Sequence, residues 1–140
     1  MIIDSSYLFD LMAEDPDAFW KGTELVENGE MQWLPTPVVA EAYYGVATTR
    51  SDTTEQEVRN RILGYPRIDV DEEIARKAGD LLAAADDRVG ENAGVGANDG
   101  YIAAMADILD DAVLTDNIED FEALGVTEYS RRKPRALARG

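Results

Sequence analysis

Short apolar runs alternate with longer helical patterns along the chain, and this alternation limits the possible folds more than any other feature. Five runs are predicted as strands: residues 1–3, 31–34, 65–70, 112–115 and 126–129. The third contains Pro66, which lacks a backbone donor and favours a position near the edge of a sheet. The regular succession of strands and helices predicts an α/β fold, in which helices cover both faces of a mainly parallel central sheet of about four to five strands.

The segments between these runs carry apolar residues at helical spacing. A first helix follows the first strand directly, and further helices are predicted over residues 17–28, 36–49, 51–63, 71–89, 100–109 and 118–124, with a glycine-rich loop over 90–98. Ser5 or Ser6 is expected to cap the first helix, because a hydroxyl accepts a hydrogen bond from the free N–H groups of the first turn. In the second helix the apolar positions are Phe19, Trp20, Leu25 and Val26.

The composition removes whole classes of catalytic chemistry. The 140 residues include no cysteine and no histidine, which excludes disulfides, thiolate nucleophiles, Ser-His-Asp catalysis and most transition-metal sites. Oxygen ligands remain, and with them the hard cations that oxygen ligands prefer. A chain of this length is expected to form one domain with a core of its own. The absence of a run of about eighteen apolar residues predicts a soluble, cytoplasmic protein with no membrane partner.

The charge of the chain is strongly negative and unevenly distributed. Asp and Glu number 29 against 13 Lys and Arg, which gives a net charge of −16. Five of the cations lie within residues 131–140, where there is no acid, so residues 1–130 carry a net charge of −21. An acidic surface stays hydrated at high salt, where a Debye length of about 3 Å suppresses long-range repulsion. The balance therefore favours adaptation to high salt and says little about the partner.

Two aspartates stand where apolar strands end. Asp4 follows the apolar residues 1–3, and Asp116 follows the run over 112–115. Ligands of an open parallel sheet bind in the crevice beyond the carboxyl ends of the strands, so a carboxylate at that place points at a site. Taken alone, Asp4 can equally be a cap or turn acid, since aspartate is common at such positions.

Two further acids lie on the apolar faces of predicted helices. Glu41 is flanked by Val38 at i−3 and Gly45 at i+4, and Asp99 is followed by Ile102 at i+3. A charge on a core-facing stripe is costly unless it is paired or bound to a cation. For each residue alone a plainer interpretation exists: Asp99 is well placed in the dipole of its helix, and the carboxylate of Glu41 can extend to solvent.

The four acids together are more specific than any of them alone. They lie at two strand ends and two helix starts, positions that can meet in one crevice of a parallel sheet. Four carboxylates brought close together repel each other unless they are protonated or neutralised, and the neutraliser that this composition permits is Mg²⁺ or Mn²⁺. Such a site makes hydroxide from bound water and stabilises the charge that develops in an in-line displacement. The acids therefore predict metal-assisted hydrolysis of phosphodiester bonds.

Four segments are informative when they are taken together in their order and spacing. They are Ile-Ile-Asp-Ser-Ser-Tyr-Leu from residue 2, Pro-Val-Val-Ala-Glu-Ala-Tyr-Tyr-Gly from residue 37, Ala-Asn-Asp-Gly-Tyr-Ile-Ala-Ala-Met-Ala from residue 97 and Ala-Val-Leu-Thr-Asp-Asn-Ile-Glu-Asp-Phe from residue 112. Over essentially the whole chain they resemble the PIN-domain ribonucleases, in particular the VapC-type toxins of toxin–antitoxin pairs. The resemblance implies an α/β/α sandwich over residues 1–130 and a basic tail over 131–140. It also implies a Mg²⁺- or Mn²⁺-dependent endoribonuclease that forms a homodimer and is inhibited by a small antitoxin protein, and the acidic surface favours a haloarchaeal member.

The resemblance also assigns roles to particular residues. Its fourth acidic position is open, because many relatives have the pattern Thr-any-Asn or Thr-any-Asp, which places Asn117 at the usual position and Asp116 one residue early, with Asp120 nearby. The hydroxyls of Ser5 and Thr115 match positions expected to hydrogen-bond the carboxylates or their waters. The predicted metal-binding and catalytic acids are Asp4, Glu41, Asp99 and Asp116, and the secondary candidates are Ser5, Thr115, Asn117 and Asp120.

Two other functions remain open beside a toxin ribonuclease. A PIN-like module with a weakened site would bind RNA or protein without cutting, and the open fourth position motivates this alternative. A nuclease of RNA maturation would use the same acids without a toxic role. The basic tail over 131–140 can contact RNA phosphates or be a solvated end. The core or a dimer interface is the expected place of four aromatic residues: Trp20, Trp33, Tyr43 and Tyr44.

Overall fold

The computed structural model describes residues 1–48, 54–90, 94–126 and the backbone of 128–129, which form five short parallel strands and seven helices. The strands are β1 (Ile2–Ile3), β2 (Leu34–Pro35), β3 (Arg67–Ile68), β4 (Val113–Leu114) and β5 (Glu128–Tyr129). The helices are α1 (Ser5–Met12), α2 (Pro16–Glu27), α3 (Thr36–Thr48), α4 (Glu55–Ile62), α5 (Glu72–Val89), α6 (Ala97–Leu109) and α7 (Ile118–Ala123). This is the α/β architecture that the alternation of patterns predicted.

The strands form a sheet in the order β3-β2-β1-β4-β5. β1 pairs in parallel with β4, β4 with β5, and β2 with β3. A bridge between Ile2 and Trp33 joins the two parts, since Trp33 N donates to Met1 O at 2.9 Å and Ile3 N donates to Trp33 O at 2.9 Å. Among the described residues β3 pairs with β2 alone, so the predicted edge position of the strand after Pro66 is confirmed.

The two central strands form the middle of the core. The side chains of Ile2, Ile3, Val113 and Leu114 are fully buried, as expected for parallel strands that are covered on both faces. Leu8 of α1 and Ile102 of α6 belong to the same core cluster. Because β1 and β4 are parallel neighbours, the residues that follow them leave the sheet at the same edge.

The predicted apolar face of the second helix is wrong. Residues advance by about 100° each around a helix, and the buried side of α2 consists of Ala18, Lys21 and Leu25. Lys21 is only 4% exposed and its Nζ lies 3.5 Å from Glu24 Oε2, so a charged side chain takes a place that its residue type did not predict. Three of the four expected apolar positions are instead exposed: Phe19 at 62%, Trp20 at 66% and Val26 at 68%.

Two helix starts differ from the prediction. α4 begins after Thr54, whose hydroxyl accepts from Glu57 N while the Glu57 carboxylate accepts from Thr54 N, a reciprocal capping box. The earlier predicted start, residues 51–53, lies outside the described residues. α6 begins at Ala97 rather than at Gly100, so the predicted loop is shorter and Asp99 lies in the first helical turn.

The aromatic expectations are met only in part. Trp33 and Tyr43 are half-buried and pack against the core, whereas Trp20 and Tyr44 are exposed and do not belong to the core of this chain. Their place in a dimer interface stays a prediction. None of the helices in the described part of the chain is long and apolar enough to span a membrane.

The contact between α5 and α6 makes a testable prediction about Gly100. A Cβ atom at this position would lie 2.8 Å from Leu82 Cδ1 and 2.9 Å from Leu82 Cγ. Overpacking of this kind costs about 1–3 kcal/mol, and the better helix propensity of alanine offsets about 0.5–1 kcal/mol of that cost. We therefore expect Gly100→Ala to lower the free energy of unfolding by up to about 2 kcal/mol. Denaturant unfolding measures the change.

Gly79, on the exposed side of α5, provides the matched control. No described atom lies within 4 Å of a Cβ added there, and alanine is the better helix former by about 0.5–1 kcal/mol. Gly79→Ala should therefore raise the free energy of unfolding by that amount. If Gly100→Ala were stabilising as well, the close approach of the two helices at Gly100 would be disproved.

Candidate active site

Asp4 and Thr115 meet at the edge of the sheet where β1 and β4 end. Asp4 N donates to Leu114 O at 3.1 Å, which continues the parallel ladder by one residue. Thr115 Oγ1 then donates to Asp4 Oδ2 at 2.6 Å. The Asp4 side chain is only 3% exposed, and its carboxylate accepts no hydrogen bond from the amides of α1, all of which are described. Asp4 is therefore the N-cap residue of α1 by position, but its side chain does not cap the helix.

The two serines of α1 turn their hydroxyls to the acids. The expectation that one of them caps the helix is wrong, because both lie within α1 and Asp4 occupies the residue before it. Ser5 Oγ donates to Glu41 Oε2 at 3.1 Å. Ser6 Oγ donates to Asp4 Oδ2 at 3.2 Å and accepts from Asp116 N at 3.0 Å. Each serine therefore supports one carboxylate.

Glu41 reaches the same place from α3. Burial raises the pKa of Glu41, the charge of Asp4 raises it further, and the hydroxyl of Ser5 and the amide of Asn98 act in the opposite direction. Glu41 Oε1 is buried and accepts no hydrogen bond of normal geometry from the described residues. A buried carboxylate oxygen without a partner is costly, and here it leaves an acceptor available beside Asp4.

Asp99 joins the group from the first turn of α6. Burial raises its pKa from the ordinary value of 3.8 to about 7, with the charge of Asp4, a hydrogen bond and charge from Asp120, and the charge of Glu41 adding to the effect. Asn117 Nδ2 donates to Asp99 Oδ2 at 3.3 Å and to Asp120 Oδ2 at 2.9 Å. The raised pKa indicates that several negative charges lie close together in a place that is partly shielded from water.

The structure brings Asp4, Glu41 and Asp99 together, although they lie far apart in the sequence. The charge of Asp4 raises the pKa of Glu41, the charges of Asp4 and Glu41 raise the pKa of Asp99, and Asp120 joins the group through Asp99. Asp116 supplies its backbone amide to Ser6 and is half-buried. Its role as the fourth acid stays a prediction.

Two residues of the group were not singled out from the sequence as site residues. Ser6 was expected only as a helix cap, although its place two residues after Asp4 was a signal. Asn98 lies beside Asp99 in the first turn of α6 and acts on Glu41. Neither contact follows from helical periodicity, because that of Ser6 depends on the pairing of β1 with β4 and that of Asn98 on how α3 and α6 meet.

The donor set of this group fits a hard divalent cation. Its ligands are carboxylate and amide oxygens, which Mg²⁺ and Mn²⁺ prefer. Glu41 Oε1 is a buried acceptor without a donor of normal geometry among the described residues, and burial together with the neighbouring acids raises the pKa of Asp99. In their present positions no three Asp or Glu side chains of the described residues are close enough to hold one ion. Carboxylates that are brought closer together than this repel each other unless they are protonated or neutralised by a cation.

The family of the chain follows from its sequence as a whole. The family model of the PIN domain matches residues 1–126. The chain belongs to the PIN-domain family. No curated protein matches this PIN domain in sequence.

Solved structures share the fold of this PIN domain. VapBC2 from Rickettsia felis, bound to a DNA fragment from its promoter, has a TM-score of 0.73 and 19% identity, with 92% of this chain and 96% of that chain covered. FitAcB from Neisseria gonorrhoeae has a TM-score of 0.71 and 22% identity, with 93% and 96% covered. VapBC-1 from nontypeable Haemophilus influenzae has a TM-score of 0.74 and 21% identity, with 94% and 98% covered. At such identities the similarity concerns the fold, and the predicted PIN-like α/β/α fold is confirmed.

Proposed function

We propose that this PIN domain is a metal-dependent endoribonuclease of VapC type, the toxin of a toxin–antitoxin pair that acts in the cytoplasm. The observation that carries the proposal is the meeting of Asp4, Glu41 and Asp99 at the carboxyl edge of the central strands, with the pKa of Asp99 raised to about 7 by burial and by its acidic neighbours. Membership of the PIN-domain family supports nuclease activity. The similar structures named VapBC support the assignment to a toxin–antitoxin pair.

The proposed cofactor is Mg²⁺ or Mn²⁺, held by Asp4, Glu41 and Asp99. When bound, such an ion lowers the pKa of a coordinated water and stabilises charge on a phosphodiester oxygen. The protein's part is to orient the carboxylates of Glu41 and Asp4. Ser5 and Thr115 do this through hydrogen bonds to Glu41 and Asp4, and burial of Asp4 keeps bulk water away from one side of the site.

The test is an RNA-cleavage assay with and without Mn²⁺, run at high salt because of the acidic surface. We expect cleavage in Mn²⁺ and its loss in EDTA, with recovery when excess Mn²⁺ is added. Cleavage that is equally fast in EDTA would overturn the metal-dependent mechanism. Binding of RNA without cleavage in any divalent cation would support the alternative, a PIN-like binding module with a weakened site.

The fourth acid is proposed to be Asp120, with Asp116 as the other candidate. Asp120 raises the pKa of Asp99 through both charge and a hydrogen bond, and Asn117 Nδ2 bridges the two carboxylates. Asp116 donates its backbone amide to Ser6, a bond that a side-chain substitution leaves in place. We expect Asp120→Asn to slow cleavage by about 10-fold or more, the scale on which groups that orient metal ligands act, and Asp116→Asn to slow it less.

Measuring cleavage by the two variants side by side decides between the candidates, since each substitution removes one negative charge from the same turn. If Asp116→Asn slowed cleavage more than Asp120→Asn, the fourth acid would be Asp116, as the sequence predicts. Equal, small effects would mean that three acids suffice.

The proposed partners are an RNA substrate, a cognate antitoxin protein and a second copy of the chain. The antitoxin is proposed because a similar structure, from Klebsiella pneumoniae, is described as a toxin–antitoxin complex. A short open reading frame beside the gene, encoding a DNA-binding protein whose co-expression relieves growth arrest, would support the toxin. A solitary gene would favour a nuclease of RNA maturation. The basic tail over 131–140 lies outside the described residues, and both its separation from the domain and its contact with RNA phosphates stay predictions.

A further inference from the structure

We propose that Ser6 is a positioning residue for Asp4: its hydroxyl and that of Thr115 bind one oxygen of the Asp4 carboxylate and leave the other for the cation. The inference rests on the proposed metal-dependent function. Ser6 Oγ lies 3.2 Å and Thr115 Oγ1 lies 2.6 Å from the same atom, Asp4 Oδ2. Asp4 Oδ1 accepts no hydrogen bond from the described residues.

Each hydroxyl is held in this direction by a backbone amide. A serine or threonine hydroxyl has one proton to donate and lone pairs with which to accept. Asp116 N donates to Ser6 Oγ at 3.0 Å, and Asn117 N donates to Thr115 Oγ1 at 2.8 Å. With the amides bound to their lone pairs, both hydroxyls direct their protons to Asp4. The 3.3 Å separation of the two hydroxyl oxygens then reflects two donors that share one acceptor.

The two hydroxyls and the two amides that donate to them connect different parts of the fold. Ser6 lies on α1, whereas Thr115 and the two amides lie in the segment that leaves β4. Rotation of the Asp4 carboxylate about its Cβ–Cγ bond would break both hydroxyl contacts at once. The arrangement therefore fixes the plane of the carboxylate before a cation arrives, which lowers the cost of binding it.

Ser6 has a second effect through the amide that it accepts. Without Ser6 Oγ, the half-buried Asp116 N–H loses its described acceptor and the turn from Thr115 to Asn117 loses a tie to α1. Asn117 is the residue that bridges Asp99 and Asp120. The Ser6 hydroxyl therefore links the orientation of Asp4 to the positions of Asp99 and Asp120.

The experiment measures Mn²⁺ binding in the absence of RNA, by titration calorimetry or from the electron paramagnetic resonance signal of free Mn²⁺. Outer groups that orient metal ligands are worth about 10–100-fold in metal affinity. Because Thr115 remains in place, we expect Ser6→Ala to raise the Kd for Mn²⁺ by about 10-fold, the lower end of that range. Ser6→Thr keeps the hydroxyl and should restore most of the affinity.

Thr23→Ala is the matched control, because Thr23 Oγ1 bonds a backbone carbonyl of α2, that of Phe19, and its loss also removes one hydroxyl hydrogen bond. We expect its Mn²⁺ affinity to equal that of the wild type. Thermal unfolding of each variant in EDTA separates the two roles, since a merely structural Ser6 would lower the melting temperature and leave the affinity unchanged. Excess Mn²⁺ should also bring RNA cleavage by Ser6→Ala back towards the wild-type rate.

The failure of this inference is distinct from the failure of the proposed function. If the wild type binds Mn²⁺ and Ser6→Ala binds it equally well, Ser6 is not a positioning residue and the metal site stands. If the wild type binds no Mn²⁺, the metal-dependent function falls and the role of Ser6 falls with it.

Discussion

Asp4→Asn and Asp99→Asn are each expected to slow RNA cleavage by at least about 100-fold, since groups that merely orient metal ligands are already worth about 10–100-fold. The substitution exchanges a charged oxygen for an amide nitrogen of similar size, so it removes a ligand without changing the volume. In Asp4→Asn the remaining carbonyl oxygen can still accept from Thr115 and Ser6. The fold should therefore survive, and circular dichroism checks that it does.

Asp107→Asn is the control for these two variants. Asp107 lies on α6, as Asp99 does, but it is exposed and pairs with Lys77 at 3.1 Å. The change removes the same charge from the same helix, and the loss of an exposed ion pair is a small effect. Cleavage by Asp107→Asn should match the wild type. Wild-type rates for both Asp4→Asn and Asp99→Asn would exclude the proposed active site.

The positions of three acids could be predicted because they depend on features that a sequence displays. Asp4 follows an apolar run too short to be a helix, and parallel order places the ends of such runs at one edge of the sheet. Glu41 and Asp99 interrupt apolar helical stripes, where a charge is costly unless it is paired or bound to a cation. These arguments need only the period of each element and the direction of the strands.

Ser5 and Thr115 were predicted as supporting hydroxyls through the family resemblance, and both hydrogen-bond a carboxylate, but Ser6 could not be predicted in the same way. A serine shortly after an aspartate and before a helical pattern is typical of a helix cap, and only the pairing of β1 with β4 places Thr115 beside Ser6 and turns both hydroxyls to Asp4. The fourth acid depends on the conformation of the segment from Asp116 to Asp120. Sequence spacing does not resolve this conformation.

The error in α2 has a comparable cause. Its apolar residues suggested the buried side, yet Phe19 and Trp20 point away from the side of Leu25. Lys21 is buried on this helix instead, with its Nζ beside the Glu24 carboxylate. A buried lysine is tolerated where a partner is present. Glu24 lies at i+3 on the same helix, so the sequence displays the pair, but the burial of Lys21 becomes visible only when the packing of the helix is known.

Cleavage and Mn²⁺ affinity are expected to fall steeply as the pH drops below about 7, the pKa to which burial and the neighbouring acids raise Asp99. Below that pH the cation must displace a proton from Asp99, so the affinity should decrease by up to about 10-fold per pH unit. The raised pKa of Glu41 acts in the same direction. Titrations of Mn²⁺ between pH 5 and pH 8, at about constant ionic strength, measure the slope. An affinity that does not change with pH would contradict a role for Asp99 as a ligand.

The same raised pKa makes a prediction about stability without metal. Asp99 holds its proton more tightly in the folded protein than in the unfolded chain, so its contribution to stability is complete below the ordinary value of 3.8 and is lost as the pH rises through about 7. Asparagine does not ionise, so in Asp99→Asn this loss of stability with rising pH does not occur. In EDTA at pH 8 the variant should therefore melt at a higher temperature than the wild type, by about 3 °C for each kcal/mol of repulsion removed, and the difference should shrink at pH 5. A variant that is less stable than the wild type at pH 8 would mean that Asp99 is well accommodated without a cation, and the reason for placing one there would be gone.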